Sequence, residues 1–96
     1  MYGQIQANGI SMAYALDGPI DAPVVMFSTS IMCDTHMWKY QVAALATSYR
    51  VLRYDTRGHG GSEATSGAYT MDLLADDAAS LLSTLGIEKA HFVGLS

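Results

Sequence analysis

Apolar positions along this chain fall into short blocks that switch between a strand-like and a helix-like spacing. Gln4 to Ile10 and Ser11 to Leu16 read as two short strands around Asn8-Gly9. That dipeptide suits a two-residue hairpin turn, because both residues tolerate a left-handed backbone. Asp17 to Pro23, rich in Gly, Pro and Asp, predicts a loop. Val24 to Phe27 is uninterrupted apolar sequence between turn-formers, as expected of a strand buried on both faces. Val51 to Asp55 and Ala90 to Leu95 predict two further strands.

Between these blocks the spacing changes. Ser28 to Thr35 is irregular. In Met37 to Leu45, Trp38, Val42 and Leu45 recur at helical spacing. Thr56 to Gly67 is rich in Gly, Ser and Thr and predicts a long loop. Thr70 is placed to cap a helix from Met71 to Leu85, with Leu74, Ala78, Leu81, Leu82 and Leu85 as its apolar stripe. Asp72, Asp76 and Asp77 lie in its first two turns, where the helix dipole favours negative charge. With Asp55 and Glu63 they form an acidic stretch that reads as a solvated helix start. Gly86 fits the position just past the helix end.

The resulting order, β-β-β-α-β-α-β, predicts an α/β fold with a mainly parallel sheet and an antiparallel edge hairpin. Its 96 residues suffice for one domain at most. Two helices cannot cover both faces of such a sheet, so the chain is not expected to bury its core alone.

Composition narrows the function. Half the residues are apolar and 15% are charged, which excludes a disordered segment. Net charge is −4, and Lys39, Arg50, Arg53, Arg57 and Lys89 form no basic cluster, so no nucleic-acid partner is expected. The single cysteine, Cys33, permits no internal disulfide. The N-terminus shows no signal-peptide pattern, and no apolar run approaches a membrane span. No membrane association is expected, and a cytoplasmic location is the default. No metal-ligand spacing is present.

The candidate chemistry lies in His91-Phe92-Val93-Gly94-Leu95-Ser96, a strand running into Gly-x-Ser. A serine on a sharp turn at a strand's end stands clear of the sheet, and a small flanking residue such as Gly94 avoids clashes. The simpler alternative for Ser96 is a helix N-cap. A hydroxyl also needs a base to take its proton. His36, His59 and His91 all precede the serine, and each is as well read as a packing or surface residue.

Three stretches, Val24 through Trp38, Tyr54 through Ser62, and Gly94-Leu95-Ser96, together resemble the N-terminal part of the α/β-hydrolase fold. Within that fold, Val51 through Gly60, Leu85-Gly86-Ile87, Ala90 through Ser96 and His36-Met37-Trp38 are most similar to 3-oxoadipate enol-lactonases. The resemblance implies that residues 1–96 are the N-terminal segment of one hydrolase core domain. It also implies a carboxylic ester or lactone as substrate, in aromatic catabolism, and no cofactor. Ser96 would be the nucleophile, with an acid and a histidine supplied from beyond the chain end by the remainder of the domain, on the same chain or a second one. Ile31 matches the position whose backbone N–H helps hold the oxyanion. The enol-lactonase pattern has glycine where this chain has Met32, so a positive φ there would strain the methionine.

The same resemblance makes Asp55 to Gly60 a structural loop, which an Asp–Arg hydrogen bond would fix. Arg57 is a weak candidate to clamp an anionic substrate. Met32 and Trp38 are candidates to touch substrate, beside the alternative that they are core residues like Met26 and Met37. Cys33 reads as a small packed side chain. Other chemistries on the same fold stay open (general esterase, carbon–carbon bond hydrolase, perhydrolase), as does a catalytically silent fragment of a split hydrolase. A dinucleotide-binding domain would need its glycine-rich turn directly between the first parallel strand and a helix. Gly58-His59-Gly60-Gly61 does not stand there.

Overall fold

A computed structural model describes residues 1–30 and 32–94. Strands β1 (Tyr2–Ala7) and β2 (Ile10–Asp17) pair antiparallel, with Ala7 opposite Ile10 across the turn. Asn8 and Gly9 take φ of 50° and 80°, the left-handed pair that a right-twisted hairpin needs. β2 then pairs antiparallel with β4 (Arg50–Tyr54). β4 runs parallel to β3 (Val24–Ser28), and β3 parallel to β5 (His91–Gly94). The sheet order is β1-β2-β4-β3-β5, the mixed sheet the sequence predicts.

Alternating side chains divide the core between the two faces. Met12, Met26, Leu52 and Tyr54 point to one face and pack with Ala78 and Leu81 of α2 (Met71–Thr84). Val25, Phe27 and Val51 point to the other and meet Trp38. Each fully buried Leu or Met contributes about 1.5–3 kcal/mol relative to exposure.

The helix ends follow local rules. The Thr70 hydroxyl accepts the Leu73 N–H at 3.0 Å. At the other end Gly86 N–H bonds to Ser83 O and Ile87 N–H to Leu82 O, with Gly86 at φ 74°. That pair of bonds is the Schellman motif, and it stops the helix one residue before the predicted Leu85.

The helix predicted from Met37 is broken at Trp38. A 3₁₀ turn, Thr35–Trp38, precedes α1 (Lys39–Leu45). Asp34 caps the turn by accepting the His36 N–H at 2.9 Å. Trp38 leaves helical geometry at φ −99°, ψ 10°, and its ring lies 4.5 Å from that of Phe27.

The two helices leave β5 bare. All four of its residues are exposed, Phe92 at 58% and Val93 at 39%. This matches the expectation that the chain does not cover its own sheet. Among the described residues no helix is long and apolar enough to cross a membrane.

Candidate active site

Ser28 of β3 aligns with Tyr54 of β4 on one side and with Gly94 of β5 on the other. The three parallel strands therefore end level, and open sheets gather their chemistry at that carboxyl edge. Ser96, the expected nucleophile, follows β5 by two positions, and Ile31, the expected oxyanion donor, falls in the loop after β3. Both lie outside the described residues.

The loop from Ser28 to the 3₁₀ turn is tied down at several points. The Thr29 hydroxyl donates to Tyr54 O at 2.8 Å, and the Thr35 N–H donates to Asp55 Oδ1 at 2.9 Å. Cys33 N–H closes a four-residue turn onto Ser30 O at 3.1 Å. Met32 stands third in that turn with φ 66°, in the region where glycine is unstrained. The expected strain is therefore present, and the Met32 side chain is 89% exposed. Met32→Gly should raise stability by up to about 1 kcal/mol in chemical denaturation, while Met32→Ala should not. A destabilised glycine variant would contradict the strain.

Asp55 is a structural residue. Oδ1 takes Thr35 N–H, Oδ2 takes Gly61 N–H at 2.9 Å, and its backbone carbonyl accepts the Ser62 hydroxyl at 2.6 Å. A Cβ at Gly60 would run into this carboxylate, so glycine is required where the chain turns around it. The predicted Asp–Arg bond needs correction: Arg57 pairs with Asp77, not with Asp55. Arg57 Nη2 meets Asp77 Oδ1 at 2.7 Å and Nε meets Oδ2 at 2.8 Å, a two-point grip. Arg57 Nη1 donates to Thr65 Oγ1 at 3.1 Å. With all three nitrogens engaged and the side chain buried, Arg57 is not placed to clamp a substrate anion.

The solvated-helix reading of the acidic stretch is corrected too, since Asp55 and Asp77 are both buried. Asp77 lies three residues after Leu74 and four before Leu81, on the apolar stripe itself, and that spacing was the available signal. Burial pushes its carboxyl upward, but hydrogen bonds from Arg57 and from Asn8 Nδ2 (2.8 Å) outweigh this and leave it below the ordinary carboxylate value. Burial raises the Tyr54 phenol, whose hydroxyl donates to Ser28 Oγ at 3.3 Å.

The three histidines lie apart from one another, and none but His59 borders the strand ends. His36 is exposed beside Asp34 at 3.1 Å, His59 bonds to Arg57 O at 3.1 Å, and His91 opens β5 at the end away from Gly94. Among the described residues no three His, Cys, Asp or Glu groups come together as a metal site. Trp38 lies in the core at 5% exposure, and its Nε1 has no partner among the described residues. A mostly apolar cleft of about 700 Å³ lies between α2 and the ends of β3 to β5, bordered by Ser28, Tyr54, His59, Tyr69, Leu74 and Phe92.

Known proteins share this arrangement. A family model described as the alpha/beta hydrolase fold matches residues 23–96. The chain is 46% identical over 89 residues to 3-oxoadipate enol-lactonase 1 of Acinetobacter baylyi, covering 93% of this chain and 33% of that protein. It is 34% identical over 93 residues to epoxide hydrolase A of Mycobacterium tuberculosis, covering 94% of this chain and 29% of that protein. The crystal structure of the enol-lactonase from Burkholderia xenovorans superposes with a TM-score of 0.95 at 47% identity, covering 98% of this chain and 37% of that one. The chain thus spans about a third of the length of the curated relatives it matches.

Proposed function

Because the chain belongs to the α/β-hydrolase fold family, we propose that it is the nucleophile-bearing N-terminal segment of a serine hydrolase acting on a small carboxylic ester or lactone, a 3-oxoadipate enol-lactone first among them. The observation that carries this reading is the level ending of β3, β4 and β5, with Gly94 beside Ser28 and Leu95-Ser96 next in sequence. Ser96 attacks the carbonyl carbon, and the carbonyl π electrons move onto oxygen. The Ile31 backbone N–H meets that oxyanion. A histidine, oriented by an acid, takes the serine proton and returns it to the leaving alkoxide or enolate. Water then releases the acid by the same path in reverse. Histidine and acid come from the remainder of the domain, which also covers Phe92, Val93 and the cleft beside α2.

The substrate assignment draws support from the enol-lactonase relatives, one a protein and one a solved structure, at 46% and 47% identity. Of the two residues expected to meet substrate, Met32 has the exposure to do so, while Trp38 offers a buried indole N–H with no described partner. The alternative is a general esterase on the same frame, favoured by a relative from Acinetobacter calcoaceticus, a bifunctional esterase/perhydrolase, at 36% identity. Loss of the enol-lactone chromophore, followed beside hydrolysis of a simple aryl ester, separates the two readings. In the complete hydrolase, lactone turnover should exceed aryl-ester turnover by at least about tenfold in kcat/KM, roughly 1.4 kcal/mol of transition-state preference. Equal turnover of both would leave a general esterase.

A further inference from the structure

The methionines of this chain have two kinds of surroundings. Met12 and Met26 are fully buried in the core. Met37 packs against the cluster of Val25, Phe27, Trp38 and Val51, and its sulfur accepts the Ser30 N–H at 3.3 Å. Met1, Met32 and Met71 are open to solvent, Met32 most of all. Met1 precedes β1 and Met71 opens α2, whereas Met32 belongs to the loop after β3, at the carboxyl edge of the parallel strands. The backbone accepts strain to carry a side chain there. Met32 holds φ 66° in the turn that Cys33 N–H closes onto Ser30 O. Thr29 and Thr35 anchor the loop on either side, through Tyr54 O and Asp55 Oδ1. The turn is thus held in place while its thioether stays in water, and strain of this kind collects at functional positions.

We propose that Met32 is a redox-sensitive modification site: hydrogen peroxide converts its thioether to the sulfoxide, and turnover falls. The sulfur lone pair attacks one peroxide oxygen, the S–O bond forms and the O–O bond breaks. The leaving hydroxide takes the proton from the sulfur-bound oxygen and departs as water. Sulfur loses two electrons and the peroxide gains two. Methionine sulfoxide reductases reverse the change. The oxidation follows from the exposure of Met32 alone. Its effect on turnover rests on the reading that Met32 meets substrate. A flexible apolar side chain becomes a polar one, whose new oxygen must give up water without gaining a hydrogen-bond donor when an apolar part of the substrate covers it.

The test treats the complete hydrolase with hydrogen peroxide, maps its peptides by mass spectrometry and follows activity in parallel. Met32 should gain one oxygen at least about tenfold faster than Met12, Met26 and Met37, whose sulfurs are enclosed. As it does so, kcat/KM should fall about fivefold or more, the loss expected when one polar group is desolvated without a partner. Methionine sulfoxide reductase should restore it. Met32→Leu has no sulfur and should keep its own starting activity under the same treatment, whereas Met71→Leu should lose activity as the wild type does. Oxidation of Met32 no faster than that of Met12 overturns the site. Equal losses in wild type and Met32→Leu, or protection in Met71→Leu instead, overturn the link to turnover. Recovery with a thiol alone would trace the loss to Cys33 and overturn it as well. Ser96→Ala separates the layers. If that variant keeps turnover, the underlying catalytic reading fails while the mapped oxidation of Met32 stands; if it is dead while Met32 resists peroxide, only the role of Met32 fails.

Discussion

Ser96→Ala in the complete hydrolase should lower kcat by about 10⁴-fold or more, with a thermal midpoint close to that of the wild type. The two ways of using a serine at this position differ most in that combination. A nucleophile forms the acyl-enzyme bond itself, so alanine leaves only the binding and oxyanion contributions. An N-cap serine stabilises a helix by about 0.5–2 kcal/mol, and its loss would lower stability while sparing turnover. A steep loss of rate at nearly constant stability supports the nucleophile. The reverse pattern supports the cap.

Asp77→Ala should destabilise the protein by about 3–5 kcal/mol in chemical denaturation. The size follows from what the substitution strands. Arg57 is buried and gives two of its nitrogens to Asp77. Removing the carboxylate leaves a buried guanidinium without its counter-ion, and the Asn8 side chain loses its acceptor. The effect spreads because these groups join the loop after β4, helix α2 and the β1–β2 turn. The pH dependence has a fixed sign. The Asp77 carboxyl is held below its ordinary value of 3.8 in the folded state. Its ionic contribution is thus fully present above that value and is lost as pH falls through the lower folded one. The gap between wild type and Asp77→Ala should therefore narrow in acid. A gap that is flat across that range would show that Asp77 acts through packing alone.

Most of the architecture was legible in the sequence because it rests on local signals. Asn8-Gly9 dictated the hairpin, Thr70 and Gly86 bounded α2, and the apolar run from Val24 marked a buried strand. Met32 was legible in another way: a side chain where the resembling family has glycine pointed to a positive φ, and φ is 66°.

The misses share one physical origin, since each depends on partners far apart in the chain. Arg57 stands two residues from Asp55, yet its partner is twenty residues away on α2, where the helical turn brings Asp77 inward. Trp38 ends the 3₁₀ turn because Phe27, on another element, offers its ring a surface. Spacing along a chain does not encode such meetings.

The central claim is that the Ser96 hydroxyl is an activated nucleophile. Reaction of the complete hydrolase with a fluorophosphonate, followed by peptide mapping, tests it directly. The serine oxygen displaces fluoride at phosphorus, so one phosphonyl group should appear on the peptide containing Ser96, and turnover should fall in proportion to labelling. A protein that stays fully active and unlabelled at Ser96, or that carries the adduct on another residue, would contradict the account.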